Sequence, residues 1–245
     1  MSKQRKFAFI RLIFRILILI ISILLLIFRK DQFNILNGWN FFKDFSVFTI
    51  LWIIWIIDMI LQIIPIKNKL PLGSQKLFAN RFRRVKEYIN KDKLKNYILA
   101  TTKSAYKVLL LWLSLIIIIG ILFFTKIIDK NILFLITIIF YVCDLICVLI
   151  WCPFRLIMKN KCCTTCRIYN WDHLMMFSPL IFINSFYTIS LFVFSLLAFL
   201  IWELCILIFP ERFWEMTNIS LKCSECTDKL CIQYCQKIRN KNKAI

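Results

Sequence analysis

The stretch LMMFSPLIFINSFYTISLFVFSLLAFLIWELCILIF, Leu174–Phe209, is a predominantly apolar run of thirty-six residues. As one continuous helix it would extend about 54 Å, against roughly 30 Å for the hydrocarbon core of a bilayer. The segment must therefore fold back or lie down. In the first interpretation it forms a helical hairpin that turns near Asn184–Ser185 or at Tyr187–Thr188, which gives six membrane segments. In the second, His173–Ile183 lies in the interface and Pro179 separates it from a single fifth span.

The composition of the whole chain places it in the same class. Hydrophobic residues make up 60% of the sequence, the mean hydropathy is +0.74, and only three residues are glycine. A soluble domain of this composition would have apolar surface that it could not cover. The predicted fold is therefore an all-α, polytopic integral membrane helical bundle of five to six segments. Besides the long run, the predicted spans are Phe7–Phe28, Val47–Ile66, Val108–Phe124 and Ile132–Ile150. The first is a retained helix because no small-residue cleavage site follows it.

The distribution of charge predicts the orientation. The formal net charge is +20, and it lies in the gaps between the apolar spans, which favours anionic lipid headgroups over nucleic acid as the partner. Twelve of the 33 cationic side chains lie between Lys67 and Lys107, and seven follow in residues 210–245. By the positive-inside rule this loop and both termini are cytoplasmic, in a plasma or inner membrane. A cytoplasmic tail in turn favours the hairpin for the long run.

The basic loop carries a helical pattern of its own. Apolar residues recur on one face at Phe78, Phe82, Val85 and Ile89, and cations lie opposite at Lys76, Arg83, Arg84 and Lys86. This pattern predicts a cytoplasmic amphipathic helix that lies flat in the headgroup layer and binds anionic lipid. The alternative is a solvated helix packed on the protein's own cytoplasmic surface.

These features divide the chain into six parts. They are the first two transmembrane helices (1–66), the basic cytoplasmic loop (67–107), a transmembrane hairpin (108–154), a cysteine-containing cytoplasmic loop (155–173), the long apolar segment (174–209) and a cysteine-rich basic tail (210–245).

Two groups of cysteines predict a thiolate metal site at the cytoplasmic face. The tail supplies Cys223, Cys226, Cys231 and Cys235 within thirteen residues, and the loop supplies Cys162, Cys163 and Cys166. The tail spacing resembles a zinc knuckle with cysteine in the third place, and also a ferredoxin run lengthened by two residues and lacking the usual following proline. Structural zinc is the first prediction and an iron–sulfur cluster the second. Disulfides and unligated thiols remain open alternatives.

Other residues have weaker predicted links to this chemistry. His173 is either a further ligand or an interfacial side chain that faces headgroups. Cys143, Cys147 and Cys205 lie within spans, where small apolar packing is the default. Because Cys143 and Cys147 flank Asp144 in sequence, a redox role for them stays open.

Four ionisable residues lie inside apolar segments, namely Arg15, Asp58, Asp144 and Glu203. An ionised group there costs at least a few kcal/mol unless it has a partner. In the hairpin interpretation all four share one depth near the cytoplasmic face. A structural ion pair between Arg15 and one carboxylate is the first explanation, proton or cation passage the second, and coincidence the third. Arg11 is predicted to snorkel to the interface.

The sequence excludes several classes of enzyme. It contains no phosphate-binding glycine loop, no HExxH and no serine–histidine–acid arrangement. Two functional alternatives to a metal-binding membrane protein remain. One is a membrane thiol oxidoreductase that passes electrons to a quinone or through an iron–sulfur cluster, and the other is a proton- or ion-coupled transporter that uses Asp58 and Asp144.

Overall fold

The computed structural model describes residues 3–43, 45–64, 77–85, 90–159, 162, 165–222 and 230, and this described part is helical, without a β-strand. The helices long and apolar enough to cross a membrane are α1 (Lys3–Phe28), α3 (Lys91–Phe124), α4 (Lys130–Leu149) and α7 (Phe186–Ile208). Helix α2 (Val47–Ile63) is also apolar but has only 17 residues. The chain is therefore a helical membrane protein, as its composition predicts.

Polar caps decide where these helices begin. The N-terminal N–H groups of a helix have no partner within it, and in a bilayer water does not replace that partner. Side-chain oxygens accept from these groups at the N-caps Ser46 of α2, Asn90 of α3, Asp129 of α4 and Ser185 of α7. The cap at Asn90 lies far ahead of Val108, the predicted start of the third span. Helix α3 thus continues the span into the basic loop and reaches about 51 Å.

The long helices run alternately between two ends of the bundle. We call the end at which α1 begins the basic end. Helix α4 runs antiparallel to α1, since Ala8 and Leu12 pack against Val148 and Leu149. Helices α2 and α7 run parallel to each other, because the Tyr187 hydroxyl donates to a carbonyl in the first turn of α2. Both therefore end at the basic end. The cations near this end include Arg5, Lys6, Lys91, Lys93, Lys95, Lys103, Arg155, Lys159, Arg167 and Arg212.

The first part of the long apolar run lies inside the bundle. Helix α6 (Asp172–Phe177) begins beside the last turn of α2, and a 3₁₀ turn (Ser178–Phe182) carries the chain on to the last turn of α3. Pro179 cannot donate a backbone hydrogen bond, so the α-helix does not continue through it. The chain then turns at Asn184–Ser185, the first of the two predicted positions. Met176, Phe177, Leu180 and Ile183 of this segment are buried in the core that α2, α3, α4 and α7 form.

One glycine allows this segment to approach α3 closely. A Cβ at Gly120 would lie 2.6 Å from Cζ of Phe182, closer than carbon atoms in contact can come. The Phe182 ring itself packs against the rings of Phe123 and Phe124. The absence of a side chain at Gly120 is therefore what lets the 3₁₀ turn lie against the end of α3.

Aromatic side chains fill the half of the bundle that is farther from the basic end. We call Phe33, Phe48, Trp55, Phe134 and Tyr187 the aromatic cluster; each is at most 1% exposed. Their rings meet edge to face, with centroids 4.8 to 6.1 Å apart. Such contacts add to the stabilisation from burial alone. The cluster therefore forms the packed core of this half.

The basic loop departs from its prediction. Residues 77–85 form no amphipathic helix: a 3₁₀ turn (Ala79–Arg81) leads into extended backbone at Phe82. The reason is pairing with the chain after α7, because Val85 N–H donates to the carbonyl of Thr217 and Ile219 N–H donates to that of Arg83. Phe78 is buried against Trp202, a residue of α7. Lys76, Lys86 and Ile89, which belong to the same predicted pattern, lie outside the described residues.

Candidate functional site: a charged cavity near the basic end

An ion pair joins α1 and α4 within their apolar sequences. Arg15 Nη1 lies 2.7 Å from Asp144 Oδ2 and also donates to the backbone carbonyl of Tyr141 at 2.6 Å. The guanidinium carbon of Arg15 lies 3.9 Å from the centroid of the Tyr141 ring, a cation–π distance. The predicted ion pair of Arg15 is thus present, and its partner is Asp144.

A second ion pair joins α1 and α2. Arg11 Nη2 donates to both carboxylate oxygens of Asp58, at 3.0 and 2.9 Å. The prediction that Arg11 snorkels was wrong, because its side chain turns inward to this carboxylate. The pair leaves 23% of the Arg11 side chain and 15% of the Asp58 side chain exposed.

A third polar group comes from α6. Asp172 Oδ1 accepts hydrogen bonds from Gln62 Nε2 and from the backbone N–H of His173, each at 2.8 Å. The ring Nδ1 of His173 lies 3.0 Å from the same oxygen. The sequence predicted His173 as a metal ligand or as an interfacial side chain. His173 is buried, which does not match a side chain that faces headgroups, and Asp172 is the polar neighbour of its ring.

These groups surround one small cavity of about 40 Å³, the charged cavity. Its polar lining consists of Arg11, Arg15, Asp58, Gln62, Asp144, Asp172 and His173. Arg15 Nε and Gln62 Oε1 are buried and have no hydrogen-bond partner among the described residues. A polar space of this size accommodates roughly one water molecule, which would satisfy such atoms. The site thus offers carboxylates, an imidazole and space for water or a small ion within the bundle.

Glu203 lies apart from this group. Its carboxylate pairs with Arg167 and accepts a hydrogen bond of 2.8 Å from Trp171 Nε1, and Arg167 also donates to Thr102. Three of the four predicted intramembrane charges therefore meet at the charged cavity, and Glu203 does not. It still lies toward the basic end, since it is in the last two turns of α7.

Most of the predicted thiolate ligands lie outside the described residues, namely Cys163, Cys223, Cys226, Cys231 and Cys235. Among the residues that are described, no three His, Cys, Asp or Glu side chains are placed to hold a metal ion. Cys162 and Cys166 lie beyond α4 at the basic end. Leu230, the one described residue of the segment that holds the tail cysteines, is buried at this end in a cluster that Tyr169 also contacts.

The structure brings together a set of cysteines that the sequence analysis did not combine. Cys143 and Cys147 of α4, Cys152 after it, and Cys162 and Cys166 of the next loop line a second cavity of about 250 Å³, the thiol cavity. All five are thiols and none is half of a cystine. The two cavities adjoin, because Asp144, Val148, Tyr169 and Asp172 line both. The only signal in the sequence for this cavity is the close spacing of Cys143, Cys147 and Cys152 along the chain.

Known proteins give no indication of the function, so it must be inferred from the residues described above. The chain matches no protein-family model, and no curated protein and no solved structure shows significant similarity to it.

Proposed function

We propose that the protein is a proton- or ion-coupled membrane transporter in which Asp58 and Asp144 bind the coupling ion. The observation that carries this proposal is the charged cavity, where three carboxylates, an imidazole and two guanidinium groups meet inside an apolar bundle. Ionisable groups within membrane segments are costly, and they commonly mark the pathway of a substrate, ion or proton.

The proposed topology has six membrane segments, with α6 and the following 3₁₀ turn as a short, broken fifth crossing. Broken helices are tolerated at membrane depth only where protein or a water-filled cavity surrounds them, and transporters place substrate and ion sites at such breaks. The buried course of residues 172–183 and their contribution of Asp172 to the cavity support this assignment. The concentration of cations supports a cytoplasmic location for the basic end and both termini.

The ion pairs provide a means of coupling. When Asp144 binds a proton or a cation, it no longer neutralises Arg15, whose side chain is only 6% exposed. An uncompensated buried charge costs about 3–5 kcal/mol, so Arg15 would move to another carboxylate or the helices around it would rearrange. The aromatic cluster fills the interior of the opposite half of the bundle. The charged cavity is lined by the first turns of α1 and the last turns of α2 and α4, which supports entry of the ion from the basic end.

Flux measurements on protein reconstituted in vesicles test this proposal. A pH gradient across the vesicle membrane should dissipate faster with the wild-type chain than without it, and Asp58→Asn or Asp144→Asn should abolish the difference. Glu203→Gln is the matched control, because this carboxylate is paired elsewhere. Equal flux in Asp58→Asn and wild type, for protons and for monovalent cations, would overturn the proposal.

A second candidate is a structural thiolate site that ties the tail to the loop before α6. It is favoured by the burial of Leu230, next to Cys231 in sequence, in a cluster contacted by Tyr169, whose backbone N–H donates to the carbonyl of Cys166. Zinc bound by cysteines of both groups would contribute folding free energy. Elemental analysis of anaerobically purified protein should find stoichiometric zinc. Iron with a visible band near 400 nm would favour a cluster, and no bound metal would refute this site.

A further inference from the structure

Neither the proposed transporter nor the proposed structural thiolate site assigns a role to the thiol cavity. We propose that it binds monovalent copper, Cu(I), with the sulfurs of Cys147 and Cys152 as ligands. This site is independent of the transport proposal and uses none of the tail cysteines.

The end of α4 brings the two ligands together. Cys147 lies in the last turn of the helix, Cys152 follows three residues after the helix ends, and both line the thiol cavity. The chain tightens between them, because the N–H groups of Ile150 and Trp151 both donate to the carbonyl of Ile146. The two thiols therefore belong to one part of the cavity wall, and they are the pair that a single Cu(I) ion joins.

The number and softness of the donors select the metal. Two sulfurs are enough for Cu(I), whereas zinc in structural sites takes four ligands, and no group of three potential ligands is assembled among the described residues. The surrounding donors are also soft: thiols of Cys143, Cys162 and Cys166, and the thioether-bearing residues Met175 and Met176. Thiolate and thioether sulfur favour Cu(I) over divalent ions that prefer oxygen.

The remaining wall suits an ion of low charge. It is largely apolar, with Trp112, Phe140 and Phe154, and thus keeps water away from the metal. Binding of Cu(I) converts two thiols to thiolates, releases two protons to solvent and leaves a bis-thiolate complex with one negative charge. Arg155 also lines the cavity and supplies a positive charge near that complex.

The test uses the full-length chain with the five cysteines outside the described residues replaced, that is Cys163, Cys223, Cys226, Cys231 and Cys235, each by serine. Anaerobic titration with Cu(I) against a coloured Cu(I) chelator should show one equivalent held by this protein. Cys147→Ser and Cys152→Ser should each lose that equivalent. Cys205→Ser, which removes a thiol of α7 outside the cavity, should retain it.

Two further measurements keep the result interpretable. If a serine variant fails to elute as a single species, Cys147→Ala and Cys152→Ala replace it, since alanine adds no polar group to the helix end. X-ray absorption at the copper edge should show two sulfur neighbours. Retention of the equivalent by Cys147→Ala, a shell of nitrogen or oxygen, or a Cys147–Cys152 disulfide in protein isolated anaerobically would each overturn the assignment.

Discussion

Arg15 and Asp144 lie 129 residues apart in the chain and form an ion pair with 2.7 Å between Nη1 and Oδ2. The pair fixes the depth of α1 against α4, because neither charge can leave the other without being stranded among apolar side chains. Between this pair and the basic end, Ala8 and Leu12 of α1 pack against Val148 and Leu149 of α4.

We expect Asp144→Asn to lower the free energy of unfolding by about 3–5 kcal/mol, since it leaves the Arg15 charge uncompensated. The double variant Arg15→Met/Asp144→Leu removes both charges and should recover most of this loss. Denaturant unfolding in mild detergent measures both effects. If the ion pair is only structural, the double variant should be stable and should transport normally. If Asp144 binds the coupling ion, the double variant should be stable but inactive in transport.

Asp58→Asn should have a smaller effect on stability, about 1 kcal/mol. Arg11 lies one helical turn nearer the basic end than Arg15 and its side chain is 23% exposed, so it can turn toward the interface when Asp58 is lost. The comparison of Asp58→Asn with Asp144→Asn in the same unfolding assay checks this order. A larger loss for Asp58→Asn would contradict the stated depths of the two pairs.

Gly120→Leu should destabilise the bundle by about 1–3 kcal/mol, because its side chain would overlap the Phe182 ring. Adding Phe182→Ala should restore part of the loss by making room for the new side chain. Thermal unfolding of the single and double variants provides the measurement. Additive losses in the two substitutions would show that α3 and the 3₁₀ turn do not meet as described.

The proposed orientation can be tested by labelling introduced cysteines in a chain whose native cysteines are replaced by serine. Lys159→Cys, just after α5 (Arg155–Met158), should react with an impermeant maleimide only from the cytoplasmic side. Trp39→Cys, at a position that is 69% exposed near the opposite end, should react only from the other side. Labelling of both positions from one side would refute the topology.

The sequence was sufficient to predict the helices but not all of their ends. Apolar runs located every long helix, and the length of Leu174–Phe209 alone showed that it cannot be one perpendicular crossing. The start of α3 was missed because hydropathy ends where the polar residues begin, near Val108, whereas hydrogen bonding continues back to the cap at Asn90. The pattern in residues 77–85 was helical, yet pairing with Thr217 and Ile219 replaced it.

The sequence predicted the depth of each charged residue along its helix, but not which partner that residue faces. Counting residues from the helix ends placed Arg15, Asp58 and Asp144 at similar levels, and they do meet. Rotation about the helix axis decides which partner each residue faces, and one sequence contains little information about it. Arg11 was therefore assigned to the interface, and Glu203 was grouped with charges that it does not contact. The thiol cavity depends on the path after α4, which follows from tertiary packing.

Asp144 and Asp172 border both the charged and the thiol cavity, so each carboxylate is exposed to the electrostatic potential of either chamber. A charge that enters either chamber changes the potential in the other. If both proposed sites bind their ions, thermodynamic linkage makes this influence mutual: an ion at the sulfurs shifts the ion affinity of the carboxylates by the same factor as an ion at the carboxylates shifts that of the sulfurs. The shared aspartates would thus make two neighbouring sites a single coupled device.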